Sequence, residues 1–454
     1  MAECEQPVGE VATATTTARA DVRLRVPDRA QVRMRVGCDD ELIPQKHQAR
    51  VIWDVVQQLD LAAFYAPIQA RDGVRGRDST DPALLIALWL YAATRGVGSA
   101  RELARLCSED QDGSRPYLWL CGGVTLNYHT LGDFRVSHGA ALDGLFTQVI
   151  AALVDGDLVK VHRVTQDGTR VRACAGAASY RGEERLNKLL DEARAHVEEL
   201  RRQMEDPAQS AQVTARQRAA RERAARERQQ RLEEAVARMP AAKAKHKKAA
   251  EQAGDGECGK QVKKSQPRVS TTDAEARVMK MGDGGFRPAV NVQLAVDAES
   301  RAVVGVDVSD AGSDKGLSEP MREQVEGRTG RKVDEHLVDG GYLVLDEIDA
   351  AAEAGVTLFV PPPVPRDPAK LDTRYQPKPT DSAAQAEWRR RMGTEEAKAT
   401  YRQRASTVET VNADLKQHRG LVQLAVRGLA KAKCVALWCA LAYNLLHVGV
   451  ALSR

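Results

Sequence analysis

The chain has 454 residues, enough for two to four domains and a sizeable buried core. Its hydrophobic share of 43% fits a globular protein, but only 4% is aromatic, which excludes extended stacking platforms and leaves Leu, Val and Ala to fill the core. With 67 Lys and Arg against 63 Asp and Glu, the formal charge of +4 permits a nucleic-acid partner without demanding one, since local distribution decides what a phosphate backbone meets.

Residues 1–35 read as a flexible leader, although Val and Thr within the first 20 positions would let part of it pair as an edge strand. Cys4, Cys38, Cys107, Cys121, Cys174, Cys258, Cys434 and Cys439 are scattered, without the paired C-x2-C spacing of a zinc ribbon, which suits a reducing cytoplasm. The apolar run Ala83 to Ala93 is too short to cross a bilayer, and the N-terminus lacks a secretory pattern, so no membrane partner is expected.

Residues 36–150 read as a small helical domain. Val51, Val55 and Leu59 recur at helical spacing, Asp81-Pro82 opens a second helix, and Ser99 followed by Glu102 matches a capping box for a third. Arg101, Arg105 and Arg135 would give this domain a basic side, either for DNA or as an ordinary solvated surface. The character changes at Leu158 to Val171, where Val159, Val161, Val164 and Val171 predict a strand around Asp167-Gly168-Thr169.

Residues 181–265 read as an insertion. Glu183 to Met239 predicts one or two long helices, interrupted at Pro207 and ended near Pro240. The basic stretch from Ala241, with Lys243, Lys245, Lys247, Lys248, Lys260, Lys263 and Lys264, reads as mobile, and either as a phosphate-binding surface or as a solvated linker.

Strand signals return with Asn291 to Asp297 and Val303 to Val308, which predict a hairpin. A helix over Glu319 to Val325 precedes a strand that places Asp339 at its end. A helix over Asp346 to Ala354, a strand over Val356 to Val360, a loop over Pro361 to Pro379, a long helical segment over Glu387 to Gln417 and an apolar helix near Ala430 to Ala451 complete the chain. Residues 151–180 and 266–454 therefore predict one α/β domain, a mixed sheet flanked by helices.

Three carboxylates stand out, with Asp167 on the first strand, Asp339 at a later strand end and Glu409 on a helix. Such hard oxygen ligands suit a pair of Mg²⁺ or Mn²⁺ ions for phosphodiester chemistry. Taken singly, a strand-end Asp is commonly a turn residue and a Glu on a charged helix is commonly solvated, so spacing alone does not select the trio.

Several ordered motifs do select it. Gln166-Asp167-Gly168-Thr169, Leu337-Val338-Asp339-Gly340-Gly341-Tyr342, and Tyr401, Arg404, Glu409 and Lys416 resemble bacterial insertion-sequence transposases of the DDE type. The stretch Tyr117 to Arg135 is similar to the end of that family's N-terminal helical domain, and Lys431 to Leu446 to its closing helix. The resemblance implies a ribonuclease-H-like catalytic core, with Asp167, Asp339 and Glu409 as catalytic metal ligands for Mg²⁺ and Mn²⁺ substituting. It further implies cleavage of transposon ends and joining to target DNA, with terminal inverted repeats, target DNA and a second copy of the chain as partners. Two positions differ from the family pattern. Glu409 follows Arg404 by five residues where the signature has four, so either the turn offset differs or Arg402 shares the role, and Asn412 stands where relatives often carry an aromatic residue.

On a continuous α-helix, Arg404 and Lys416 would sit at about 140° and about 20° from Glu409. That geometry makes Lys416 the phosphate neighbour and Arg404 an outward DNA clamp, or else a surface charge. His418 and Arg419 would reach DNA beyond the same helix or remain surface groups. Two other functions fit the same sequence: a metal-dependent nuclease without strand transfer, and a catalytically silent DNA-binding relative.

Overall fold

The computed structural model describes residues 23–29, 38–71, 73, 75, 77–109, 113–205, 214–252, 260, 262, 264–365, 367, 368 and 371–448. The first 20 residues of the expected leader, Pro207 and Lys263 lie outside them, whereas Leu24–Arg25 pairs in parallel with Ser79–Thr80. By its contacts the chain divides into one unit of residues 1–92 and 99–148, and a second of 93–98 and 149–454.

The first unit is helical. Its elements include α1 (Gln48–Gln58), α2 (Pro82–Thr94), α3 (Ala100–Leu106), α4 (Arg115–Cys121) and α5 (Tyr128–Ser137), with α6 (Gly139–Asp155) running out of it. Pro82 occupies the first position of α2, and the Asp81 carboxylate accepts from the Ala83 N–H, so the helix start is capped as its sequence requires. Apolar on every side, α2 is buried along its length, and Trp89 spends its indole N–H on the Leu131 carbonyl at 3.0 Å. Ser99 accepts from the Glu102 N–H, but the Glu102 carboxylate turns to Arg105 rather than completing a capping box. The expected basic side is thinner than its sequence. Arg135 is 9% exposed with its guanidinium over Trp89, Arg105 is paired with Glu102 and Glu109, and Arg101 is exposed beside Tyr128.

The second unit is built on a mixed sheet of β1 (Arg163–Arg172), β2 (Arg277–Lys280), β3 (Phe286–Asp297), β4 (Val303–Ser309), β5 (Glu335–Leu337) and β6 (Thr357–Phe359). β3 pairs antiparallel with β1 on one edge and with β2 and β4 on the other, while β5 joins β1 in parallel and β6 joins β5 in parallel. Helices cover both faces, with α10 (Leu345–Glu353) leading into β6. On one, α9 (Ser318–Thr329) approaches closely because Gly305 lacks a Cβ that would meet Ala295 and Val325 at 3.0 Å. On the other, α14 (Leu429–His447) is anchored by Asn444, whose amide both donates to and accepts from the Val303 backbone at 2.8 Å. By length and composition α14 is long and apolar enough to cross a membrane, as is the bent pair α5 and α6 taken together, but most of α14 is buried inside the fold like any core helix.

Between β1 and β2 rises a helical pair, α7 (Glu183–Glu205) and α8 (Ala215–Gln252). Leu186, Leu190 and Ala193 pack with Leu232, Ala235 and Met239, and the pairs Glu183 to Lys243 and Arg194 to Glu233 fix an antiparallel order. Where the sequence predicts an end near Pro240, α8 runs on to Gln252. An interior proline removes one hydrogen bond and costs about 3 kcal/mol. Packing at Met239 before it and the ion pairs of Lys243 and Lys245 after it hold the helix across that defect. The basic stretch expected as a mobile tail therefore begins as helix.

Candidate functional site

Parallel pairing puts Thr165 opposite Leu337, so Asp167 and Asp339, each two residues further on, emerge side by side from β1 and from the turn after β5. Asp339 caps the short 3-10 turn Gly340–Tyr342, its carboxylate accepting from the Gly341 N–H at 2.6 Å. The third element is the helical run α11 (Ala383–Met392), α12 (Glu395–Arg404) and α13 (Thr410–His418), in which residues Ala405–Glu409 form a π turn. The Thr407 hydroxyl ties that turn to Thr165 on β1 at 3.1 Å.

The π turn corrects the orientation expected for Arg404. An i→i+5 turn brings residues five apart onto one face, whereas an α-helix would hold them about 140° apart. Arg404 consequently points inward, with its side chain only 10% exposed. Its Nη1 donates to Glu409 at 2.7 Å, and its Nη2 donates to Asp167 at 2.9 Å and lies 3.8 Å from Asp339. One guanidinium thus gathers all three carboxylates, and Arg402 is exposed and takes no part. The five-residue spacing is the signal that local backbone geometry departs from the α-helix.

Asn412 supplies a contact that sequence reasoning missed. One turn past Glu409, it donates from Nδ2 to the second Asp167 oxygen at 3.0 Å. Lys416 is half-buried near Asp167 and Arg170; burial lowers its pKa, with Asp167 acting in the opposite sense. Burial raises the Asp167 pKa, opposed by Arg404 and reinforced by Asp339. For Arg404, burial works against the charge, but Asp167, Tyr401, Asp339 and Glu409 together raise its pKa above the ordinary value. Arg419, expected to be able to reach DNA, is instead 9% exposed and bonded to Asp414 at 2.9 Å, while His418 is exposed.

On the opposite face of β1 a polar network braces the same two strands. Gln166 donates to Gln293, Gln293 and Asn291 donate to Asp314, and the Tyr342 hydroxyl donates to Gln293, connecting the turn that carries Asp339 to the strand beside Asp167. Gly168 makes room for it: a Cβ there would collide with Gln293 and Asp314 and lie 2.8 Å from Asn291. The space that a side chain at 168 would take is thus filled by Gln293, Asp314 and Asn291.

Part of the expected basic stretch is engaged within the protein. Lys243 pairs with Glu183 at 2.6 Å, Lys245 with Asp310 at 2.9 Å, and Lys247 approaches Glu251 at 4.0 Å, while Lys248 is exposed without an ion pair among the described residues.

Three carboxylates from three elements are the donor chemistry of a divalent-ion site. Their common centre, however, is filled by Arg404, and among the described residues no group of three or more His, Cys, Asp and Glu side chains is arranged to hold a metal ion. In this arrangement the residues do not fit one.

Comparison with known families returns two matches, a transposase DDE domain over residues 366–448 and a transposase domain over residues 38–137. Both support assignment to a transposase family. The first spans Arg404, Glu409 and Lys416, and neither reaches Asp167 or Asp339. No curated protein and no solved structure matches the chain.

Proposed function

We propose that this chain is a DNA-binding protein of the transposase type whose carboxylates Asp167, Asp339 and Glu409 are held closed by its own Arg404. The observation that carries this reading is the guanidinium standing in the place a cation would take, contacting all three acids. The two transposase-domain matches support a DNA partner. The sheet supports a ribonuclease-H-like core: an antiparallel β1, β3 and β4 meander, with β5 and β6 added in parallel beside β1. Terminal inverted repeats, target DNA, a second copy of the chain and a cytoplasmic setting belong to the same reading.

A second reading, metal-dependent cleavage of transposon ends and joining to target DNA, is favoured by the convergence of three acids separated by up to 242 positions of sequence. In that reading Arg404 withdraws and Asp167, Asp339 and Glu409 take Mg²⁺, with Mn²⁺ substituting. The ions would activate a hydroxyl nucleophile and stabilise the leaving oxygen.

Purified full-length protein on duplex DNA from immediately outside its coding region separates these readings. The closed-site reading expects the duplex to be shifted and left uncut with Mg²⁺ or Mn²⁺. Cleavage and joining by the unaltered chain, lost in Glu409→Gln while binding persists, would establish the second reading and overturn the first. Cleavage without joining would identify a nuclease, and failure to bind either this duplex or unrelated DNA would remove all three.

A further inference from the structure

Of the five phenylalanines, Phe64, Phe134, Phe146 and Phe359 are at most 7% exposed, whereas Phe286 is 69% exposed. It stands where β3 leaves a glycine-rich turn, directly across from Lys280 on β2, and Val278, two residues before Lys280, is 49% exposed. Cross-strand partners share a face, as do alternate residues of one strand, so Val278, Lys280 and Phe286 form one exposed face of this hairpin. Leaving a phenyl ring in water forgoes about 2 kcal/mol of burial, so the fold itself gives this position no reason to be aromatic.

The tip is built rather than loose. Gly284 takes φ +81°, and Asp283 accepts from the Gly285 N–H at 3.0 Å and from Arg287 at 2.8 Å, fixing the turn behind Phe286. Those bonds also neutralise the one acid of residues 277–287, which contain Arg277, Lys280 and Arg287, leaving the hairpin basic. Lys280 is exposed and has no ion pair among the described residues. The strand register then relates this tip to the carboxylate cluster. Asp167 lies opposite Leu294, eight residues along β3 from Phe286, and Val290, Val292 and Leu294 between them are buried, so the exposed tip stands apart from the covered part of the sheet. Eight residues of strand put the tip about 27 Å from the level of Asp167.

We propose that the β2–β3 hairpin is a second DNA contact, in which Phe286 wedges into a base step of a duplex and Lys280 meets the adjoining phosphate. The inference rests on the DNA-binding reading above. An aromatic beside an unpaired cation fits a stacked, polyanionic partner. A second copy of the same face fits poorly, because a two-fold contact would bring two basic hairpins together.

The test uses the full-length chain and duplexes of about 30 base pairs from outside its coding region, with 2-aminopurine placed at successive positions. Unaltered protein should raise the 2-aminopurine fluorescence at one or two adjacent steps. Phe286→Ala should abolish that rise and weaken binding about five-fold or more, with an unchanged melting temperature, whereas Phe286→Trp should keep the rise. Lys280→Gln should lower the slope of log affinity against log salt by about 0.9. The wedge is overturned if the chain binds duplex DNA but Phe286→Ala alters neither signal nor affinity, or if that variant changes the sedimentation of the free protein instead. Absence of duplex binding by the unaltered chain is a different result and removes the DNA-binding reading as well.

Discussion

The carboxylate cluster and the α7–α8 insertion are both rich in paired charge, and they use it in opposite ways. In the cluster a single guanidinium, 10% exposed, joins acids that lie 237, 65 and 5 positions away in sequence. In the insertion, pairs such as Lys247 with Glu251 lie one helical turn apart, with side chains 80% and 62% exposed. Water has been taken from Arg404 and Asp167 in the first set, and from neither partner of the exposed pair in the second. A desolvated charge costs several kcal/mol unless its partners are in place, whereas an exposed pair is worth at most about 1 kcal/mol. Charge therefore fixes geometry in the cluster and mainly keeps the helices solvated in the insertion.

The largest break in that contrast should come from Arg404→Met. Three carboxylates would then face one another without their shared cation, and stability should fall by about 2–4 kcal/mol. The figure belongs toward the low end because Asp339 and Glu409 are 40% and 51% exposed and water screens them. Lys243→Met, which breaks the Glu183 pair in the insertion, should change stability by no more than about 0.5 kcal/mol. Urea midpoints of the two variants at matched ionic strength measure both. Equal losses would mean that burial does not distinguish the regions.

Acid should produce the next effect, and it isolates desolvation from pairing. His336, on β5 three residues before Asp339, is 2% exposed, and burial lowers its pKa from 6.5 to about 3, with Arg322 adding to the effect. The folded state therefore refuses a proton that the unfolded chain accepts. Above the ordinary histidine pKa the group is neutral in both states and contributes no pH dependence. As pH falls from 6.5 towards about 3, stability should drop by about 1.4 kcal/mol per unit from this residue. His336→Phe keeps a ring of similar shape without the proton, so its stability curve should be flatter across that window. A slope unchanged by the substitution would show that other groups dominate acid unfolding.

The same contrast explains what was legible in the sequence. Alternating Val and Leu over 291–297 and the valines of 303–308 mark β3 and β4, because a strand's pattern is local, and α2 is readable from its apolar run and Pro82. The family motifs single out Asp167, Asp339 and Glu409, but their meeting at one guanidinium depends on β1 pairing with β5 and on the π turn, neither of which a spacing rule contains. Reading Arg404 on an ideal α-helix turns it outward, and the odd five-residue interval was the only local hint to the contrary. Strand β2 is four residues long and gains its definition from β3 rather than from its own pattern. The continuation of α8 through Pro240 is likewise settled by contacts with α7 and β-strand neighbours, against the local preference of proline.

The smallest effect concerns the lysines at the end of α8, and it sharpens the distinction between a charge already spent and one still available. Lys243 and Lys245 each hold a carboxylate below 3.0 Å, so meeting a phosphate requires giving up Glu183 or Asp310. Lys248 is exposed without an ion pair among the described residues, and Lys247 has a partner only at 4.0 Å. Each cation that neutralises a phosphate contributes about 0.9 to the salt slope of duplex binding. Replacing Lys247 and Lys248 together by Gln should therefore lower the slope by up to about 2, equally on end DNA and unrelated DNA, since phosphate contacts carry no sequence information. The Lys243 and Lys245 double variant should lower it by less, because those lysines are already engaged with Glu183 and Asp310. Binding titrations over a range of salt decide between the pairs. If Lys243 and Lys245 prove the more important, their ion pairs open on DNA and serve as holders of the cations rather than as competitors for them; if neither pair changes the slope, this end of α8 is a spacer.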